Sequence, residues 1–249
     1  MSIPIGLQLY SVREACAADL PGTLSKVAEF GYAGVDFAGY YDHDPADIRK
    51  MLDERGLTCC GTHTRWDRLT DEALPETIEI HKTLGSPYCI VPSIPEELRR
   101  SRADWLEAAR RFNDLADKLA EAGIRTGYHN HHFEFEPVDG EKPWDTLFAN
   151  TKETVIMQLD TGNCMTGGGD PLEYLRKYPG RATTVHLKEF SMSGEPVVIG
   201  EGDVPWGDVF GLCETVGGTE WYIVEQESYK HEPLECVRLC LENLRGMGR

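Results

Sequence analysis

The segment GYHNHHFEFE, residues 127–136, crowds His129, Asn130, His131, His132, Glu134 and Glu136 into eight positions, and three of the chain's eight histidines fall there. Imidazoles and carboxylates are costly to bury side by side unless a metal ion or a substrate satisfies them. Packing gives such a cluster little reason to exist, so the expectation is an active site.

Three downstream segments repeat the theme. Asp160 ends the apolar run VIMQLD and precedes Thr161-Gly-Asn163. A turn or helix-cap aspartate is the plain reading; a carboxylate at a strand tip, able to ligate a divalent cation, is the stronger one. In TVHLK, His186 and Lys188 stand at i, i+2 and so share one face of a strand. A buried lysine beside a histidine requires anions nearby, either carboxylates or a substrate oxyanion. Glu225 follows the apolar run WYIV, whereas Glu227 reads as a solvated strand end. Glu134, Asp160 and Glu225 with His186 form a hard, oxygen-rich set suited to Mn²⁺ or Mg²⁺, with Co²⁺ or Zn²⁺ as alternatives. Trp66, with Tyr40 and Tyr41, lies in loops after strands and could offer an apolar platform to a sugar ring. Trp206, in GEGDVPW, either closes over a pocket or belongs to an ordinary surface loop.

These residues need elements to position them. Apolar runs at 5–9, 34–37, 57–62, 88–91, 124–129, 155–160, 183–187 and 221–225 read as strands. Helical patterns at 23–30, 45–55, 74–84, 102–122, 144–149, 171–178, 206–216 and 233–244 alternate with them. Gly31 and Gly56 fall where a helix stops. Repeated β-then-α units imply right-handed crossovers and a parallel sheet, and eight of them in one chain of 249 residues imply a closed (β/α)₈ TIM barrel in a single domain, 1–249. The competing open sheet usually carries a glycine-rich phosphate loop after its first strand, where this chain has Tyr10-Ser-Val-Arg13. Barrel enzymes place their chemistry at the C-terminal strand ends. His63, the 129–134 cluster, Asp160, His186 with Lys188, and Glu225 all fall there.

A net charge of -17 argues against nucleic acid or an anionic membrane as partner. No stretch reaches the roughly 18–20 apolar residues of a membrane helix, and no secretory pattern opens the chain. The eight cysteines contain no C-x-x-C pair, so buried reduced thiols in a cytoplasmic protein are expected, with Cys164 the one thiol that could line a pocket. Gly167-Gly-Gly169 runs into Asp170 rather than a basic residue, which favours a sugar without phosphate. Barrels of this kind commonly pair, which makes a homo-oligomer one expectation.

With IGLQLYSVRE, GTLSKVAEFGYAGVDFAGYY, GYHNHHFEFE, QLDTGN, VHLKEF, GEGDVPW and YIVEQE in that order, the chain resembles the sugar phosphate isomerase/epimerase group of xylose isomerase-like TIM barrels over essentially its full length. Within that group it is similar to the subgroup with Y-H-N-H-x-F-E-F. The resemblance implies one divalent ion, often Mn²⁺, at the strand tips. It implies Asp160, His186 and Glu225 as ligands after strands six, seven and eight. Glu134 would be the strand-five ligand, reached by a loop that folds back, with His129 as the alternative. The implied activity is an isomerase or epimerase acting on a keto sugar or 3-keto-glycoside, moving a proton next to the carbonyl through a metal-stabilised enediolate. A dehydratase or lyase eliminating from an inosose or 3-keto-glycoside is the alternative. In that chemistry Glu134 and Glu225 are the paired carboxylates, His131 or His129 takes a base role, Lys188 stabilises oxyanion charge, and His63 contacts substrate.

Overall fold

The computed structural model describes residues 2–249. Eight parallel strands close into a barrel in chain order: β1 (Ile5–Gln8), β2 (Gly34–Phe37), β3 (Thr58–His63), β4 (Tyr88–Val91), β5 (Arg125–His129), β6 (Ile156–Asp160), β7 (Thr184–Leu187) and β8 (Trp221–Val224). β8 pairs back onto β1, so the sheet has no free edge. The (β/α)₈ expectation is met, and the strand ends lie within three residues of those read from the sequence.

Among the described residues, ten helices surround the barrel: α1 (Arg13–Ala18), α2 (Leu20–Phe30), α3 (Pro45–Arg55), α4 (Leu74–Leu84), α5 (Arg102–Ala120), α6 (Pro143–Ala149), α7 (Thr161–Thr166), α8 (Pro171–Lys177), α9 (Trp206–Leu212) and α10 (Pro233–Gly246). Local chemistry sets their ends. Asp44 and Ser101 accept hydrogen bonds from Ala46 and Asp104 at the starts of α3 and α5. Gly31 and Gly56 end α2 and α3 in left-handed backbone, with φ of 97° and 65°. α5 buries Trp105, Ala108, Ala109, Phe112, Leu115, Ala116 and Leu119 along one stripe, which is the face it turns to the barrel.

The strands are buried on both faces, as a barrel under a helical ring requires. Their interior nevertheless holds Gln8, Asp36, Gln158, Asp160 and His186, all without exposure. A barrel core normally stacks branched apolar side chains. Here its upper layer is polar, at the end where the strands deliver their last residues.

Candidate metal centre

His129 closes β5, Asp160 closes β6, His186 lies on β7 opposite Asp160 in the pairing register, and Glu225 follows β8. One ligand atom from each of these four lies within 4.8 Å of the others, and all four residues are buried. The strand-six, -seven and -eight residues expected from the sequence therefore converge. The fourth member is His129, not Glu134.

Glu134 is absent from this group for a local reason. After β5 the chain enters a loop and a short 3₁₀ turn, Phe133–Phe135, which aims the Glu134 carboxylate back under the strand. There it accepts hydrogen bonds from the Tyr128 hydroxyl at 2.6 Å and the His131 backbone N–H at 2.8 Å. Burial pushes its carboxyl up to about 7, with those hydrogen bonds opposing the shift. Glu134 braces the loop that presents His131. Asn130 braces the other side: its side chain accepts from the Asp160 N–H at 2.8 Å and donates to the Asp160 carbonyl at 3.1 Å.

Asp160 fills the cap role weighed from sequence and leaves one oxygen for the other. Its Oδ1 accepts from the Asn163 N–H at 2.6 Å and caps α7, while its buried Oδ2 has no hydrogen-bond partner. His186 is held at both nitrogens, with Nδ1 2.5 Å from Glu225 Oε2 and Nε2 3.2 Å from Asp36 Oδ2. Burial opposes its charge, but hydrogen bonds to Asp36 and Glu225 outweigh burial and hold the imidazole up at about 9. Burial likewise opposes the charge on Glu225, yet Lys188 and His186 keep it well below the usual carboxylate range. Lys188 Nζ lies 3.5 Å from Glu225 and 3.1 Å from Asn163 Oδ1, and it also pairs with Glu227. The anions that a buried lysine beside a histidine requires are thus present.

Three imidazoles pack together here. The His63 ring stacks on His186 at 5.1 Å, and His129 sits 4.7 Å from His63 and 4.6 Å from His186. Burial, then repulsion from neighbouring imidazoles, lowers the pKa of His129 far below its ordinary value. A neutral imidazole is the form that ligates a metal. His129 Nδ1 has no partner, as Asp160 Oδ2 has none. Two unpartnered buried donor atoms beside Glu225 and His186 fit a divalent cation. The donor set is two nitrogens and two carboxylates, less oxygen-rich than the set read from the sequence.

A cavity of about 590 Å³ opens onto this group. His63, His129, His131 and Glu225 line it, with Tyr40, Pro45 and Ile80 on the wall built by the β2 and β3 loops and α4. Burial lowers the His131 imidazole to about 4, so it stands neutral at the cavity wall with Nδ1 unpartnered. Of the aromatic residues read from sequence as substrate contacts, Tyr40 lines the cavity, whereas Tyr41, Trp66 and Trp206 do not. Trp66 packs on Phe112, and Trp206 stacks on Phe210 while its Nε1 donates to Glu189 at 2.7 Å. Glu189 also accepts from the Gly200 and Val204 N–H groups, so one carboxylate ties GEGDVPW at three points. Cys164 is fully buried and stays outside the lining, and all eight cysteines are free. Asp36, Gln8 and Gln158 were not singled out from sequence. Their only signal was a polar residue inside a four- or five-residue strand that is otherwise buried.

The fold agrees with the comparisons. The model of the xylose isomerase-like TIM barrel family matches residues 24–247, and the chain belongs to that family. Among curated proteins it is 25% identical to the rhizopine catabolism protein MocC of Rhizobium meliloti, over 90% of this chain and 80% of that one. It is 24% identical to an inosose dehydratase of Geobacillus kaustophilus, over 84% and 83%. A solved sugar phosphate isomerase/epimerase from Parabacteroides distasonis superposes with a TM-score of 0.85 at 25% identity, covering 98% of both chains. Among the described residues, no helix is long and apolar enough to cross a membrane.

Proposed function

We propose that this protein is a divalent-metal-dependent isomerase or epimerase that moves a proton next to the carbonyl of a keto sugar or keto-glycoside. The observation that carries this reading is the convergence of His129, Asp160, His186 and Glu225 at the strand tips, beside a cavity of about 590 Å³ that His129 and Glu225 line. A bound divalent ion supplies positive charge for the oxygen that becomes anionic when the neighbouring carbon loses its proton.

The chain's own residues supply the rest. Glu225, held ionised by Lys188 and His186, and His131, kept neutral by burial, both reach the cavity in proton-accepting forms. Glu225 takes the proton and His131 exchanges it at the neighbouring position. Lys188 balances Glu225 while it is charged. His63, on the β3 side, offers its ring to a substrate hydroxyl; its Nε2 is within 2.8 Å of Gln158 Oε1. Glu134, enclosed under Tyr128, braces His131 instead of serving as the second base.

Elimination to an unsaturated ketone, as a dehydratase or lyase, is the second reading. It begins with the same proton abstraction, and the likeness to an inosose dehydratase favours it. Incubating the metal-loaded protein with a 3-keto-glucoside in deuterated water and following it by NMR separates the two. Deuterium at the carbon beside the carbonyl with an intact skeleton supports isomerisation. An enone or a released aglycone supports elimination. Absence of both with keto sugars and inososes alike overturns the proposal.

A further inference from the structure

Asp36 is a carboxylate that a barrel interior has no packing reason to hold. It stands on β2 with no exposure, and no lysine or arginine pairs with it. The partners its Oδ2 meets are imidazoles, His186 Nε2 at 3.2 Å and His63 Nε2 at 3.9 Å, while Oδ1 has no partner. Holding an ion in that setting costs several kcal/mol unless a specific partner compensates.

The backbone around it makes the room. The β2–β3 register shifts between Val35 and Asp36, and Gly61 of β3 faces the carboxylate so closely that a Cβ there would stand 3.1 Å from Oδ1. β2 and β7 are not neighbours in the barrel, so the Asp36–His186 hydrogen bond spans the interior. A carboxylate oxygen can only accept, so both His186 nitrogens donate, Nε2–H to Asp36 and Nδ1–H to Glu225; Glu225 belongs to the ligand group and Asp36 does not, so Nδ1 is the nitrogen that would exchange its proton for an ion.

We propose that Asp36 is a positioning residue for the metal centre: it fixes the His186 tautomer and ring orientation by accepting its Nε2–H, so that Nδ1 is the atom offered to the ion. A carboxylate behind a ligating histidine raises its basicity and holds its ring, and loss of such a partner costs about 10–100-fold in metal affinity. The inference rests on the metal site proposed above.

The test uses the intact chain without substrate. Mn²⁺ and Zn²⁺ dissociation constants are measured by titration against a competing chelator for wild type, Asp36→Asn and Asp36→Leu. Affinity falling by about 10-fold or more in both variants, with thermal unfolding still cooperative, is the expected result. A change of less than twofold in both overturns the proposal. Nitrogen-15 histidine NMR of the Zn²⁺-loaded wild type gives an independent reading that needs no variant to fold. The expected signature is a slowly exchanging His186 Nε2–H with Nδ1 shifted by coordination; coordination through Nε2 overturns the assignment. Wild type that binds neither ion would instead remove the metal centre itself, a different outcome from a bound ion indifferent to Asp36.

Discussion

Within the ten residues from Gly127 to Glu136, adjacent side chains serve different walls of the barrel. His129 faces the ligand group, Asn130 clamps the end of β6, His131 lines the cavity, and Glu134 turns back beneath Tyr128. The density of titratable groups was legible in the sequence, and so were Asp160 and Glu225, which end apolar runs, and His186, which shares a strand face with Lys188. The choice between His129 and Glu134 was not. Spacing says which residues are near, but the direction of Glu134 depends on a 3₁₀ turn and on one tyrosine hydroxyl. Asp36 was missed because a single acid in GVDF carries no motif. Glu134→Gln is expected to keep its full metal content, since the side chain does not reach the group. It should lose about 1–3 kcal/mol of stability, because a buried hydrogen-bonded carboxylate is replaced by an amide with a donor left to satisfy; denaturant unfolding beside elemental analysis checks both parts. His129→Gln is expected to do the reverse, weakening metal binding at least tenfold by chelator competition.

The strands and the long helices were legible from periodicity, and the short elements were not. α7, with the sequence TGNCMT, has little helical propensity and follows β6 directly; it forms because Asp160 caps it and Thr161 is tied to β7 through the His186 and Lys188 carbonyls. α1 is six residues long and too short to show a period. The helix read at 206–216 stops as α9 at Leu212 and widens into a π turn, Cys213–Gly217. α4 carries a separate device at its junction with β3. His81 is fully buried, with Nδ1 3.4 Å from the Ser86 carbonyl and Nε2 3.0 Å from the Thr62 hydroxyl. The carbonyl can only accept, so Nδ1 carries the proton and Nε2 accepts. Burial lowers this imidazole to about 4. Protons then bind the unfolded chain in preference, so stability is complete above the ordinary histidine pKa of about 6.5 and falls as pH drops toward 4. This one group would remove roughly 3 kcal/mol across that window. Urea unfolding between pH 7 and 4 should show the slope, and His81→Gln should flatten it; an unchanged slope in that variant would refute the assignment.

At the scale of the molecule, eight alternations of strand and helix were enough to specify closure, because right-handed crossovers leave few other ways to cover both faces of a parallel sheet. What closure adds is invisible in a linear reading: it brings β2 within reach of β7 across the interior, and so Asp36 to His186. It also gathers acids from three strands, Asp36, Asp160 and Glu225, around Lys188 and His186. Filling such a site should tie the strand tips together. An ion at 100 times its dissociation constant stabilises the fold by about 2.7 kcal/mol. For a chain of this size, chelation should therefore lower the melting temperature by roughly 5–10 °C, and returning Mn²⁺ or Zn²⁺ should restore it. The most direct measurement is the divalent-metal content per chain, by elemental analysis after loading and desalting, of wild type, Asp160→Asn, His129→Gln and Glu134→Gln. The expected result is one equivalent in wild type and in Glu134→Gln, and a marked loss in Asp160→Asn and His129→Gln. A full equivalent retained by Asp160→Asn and His129→Gln, or lost only in Glu134→Gln, would contradict it.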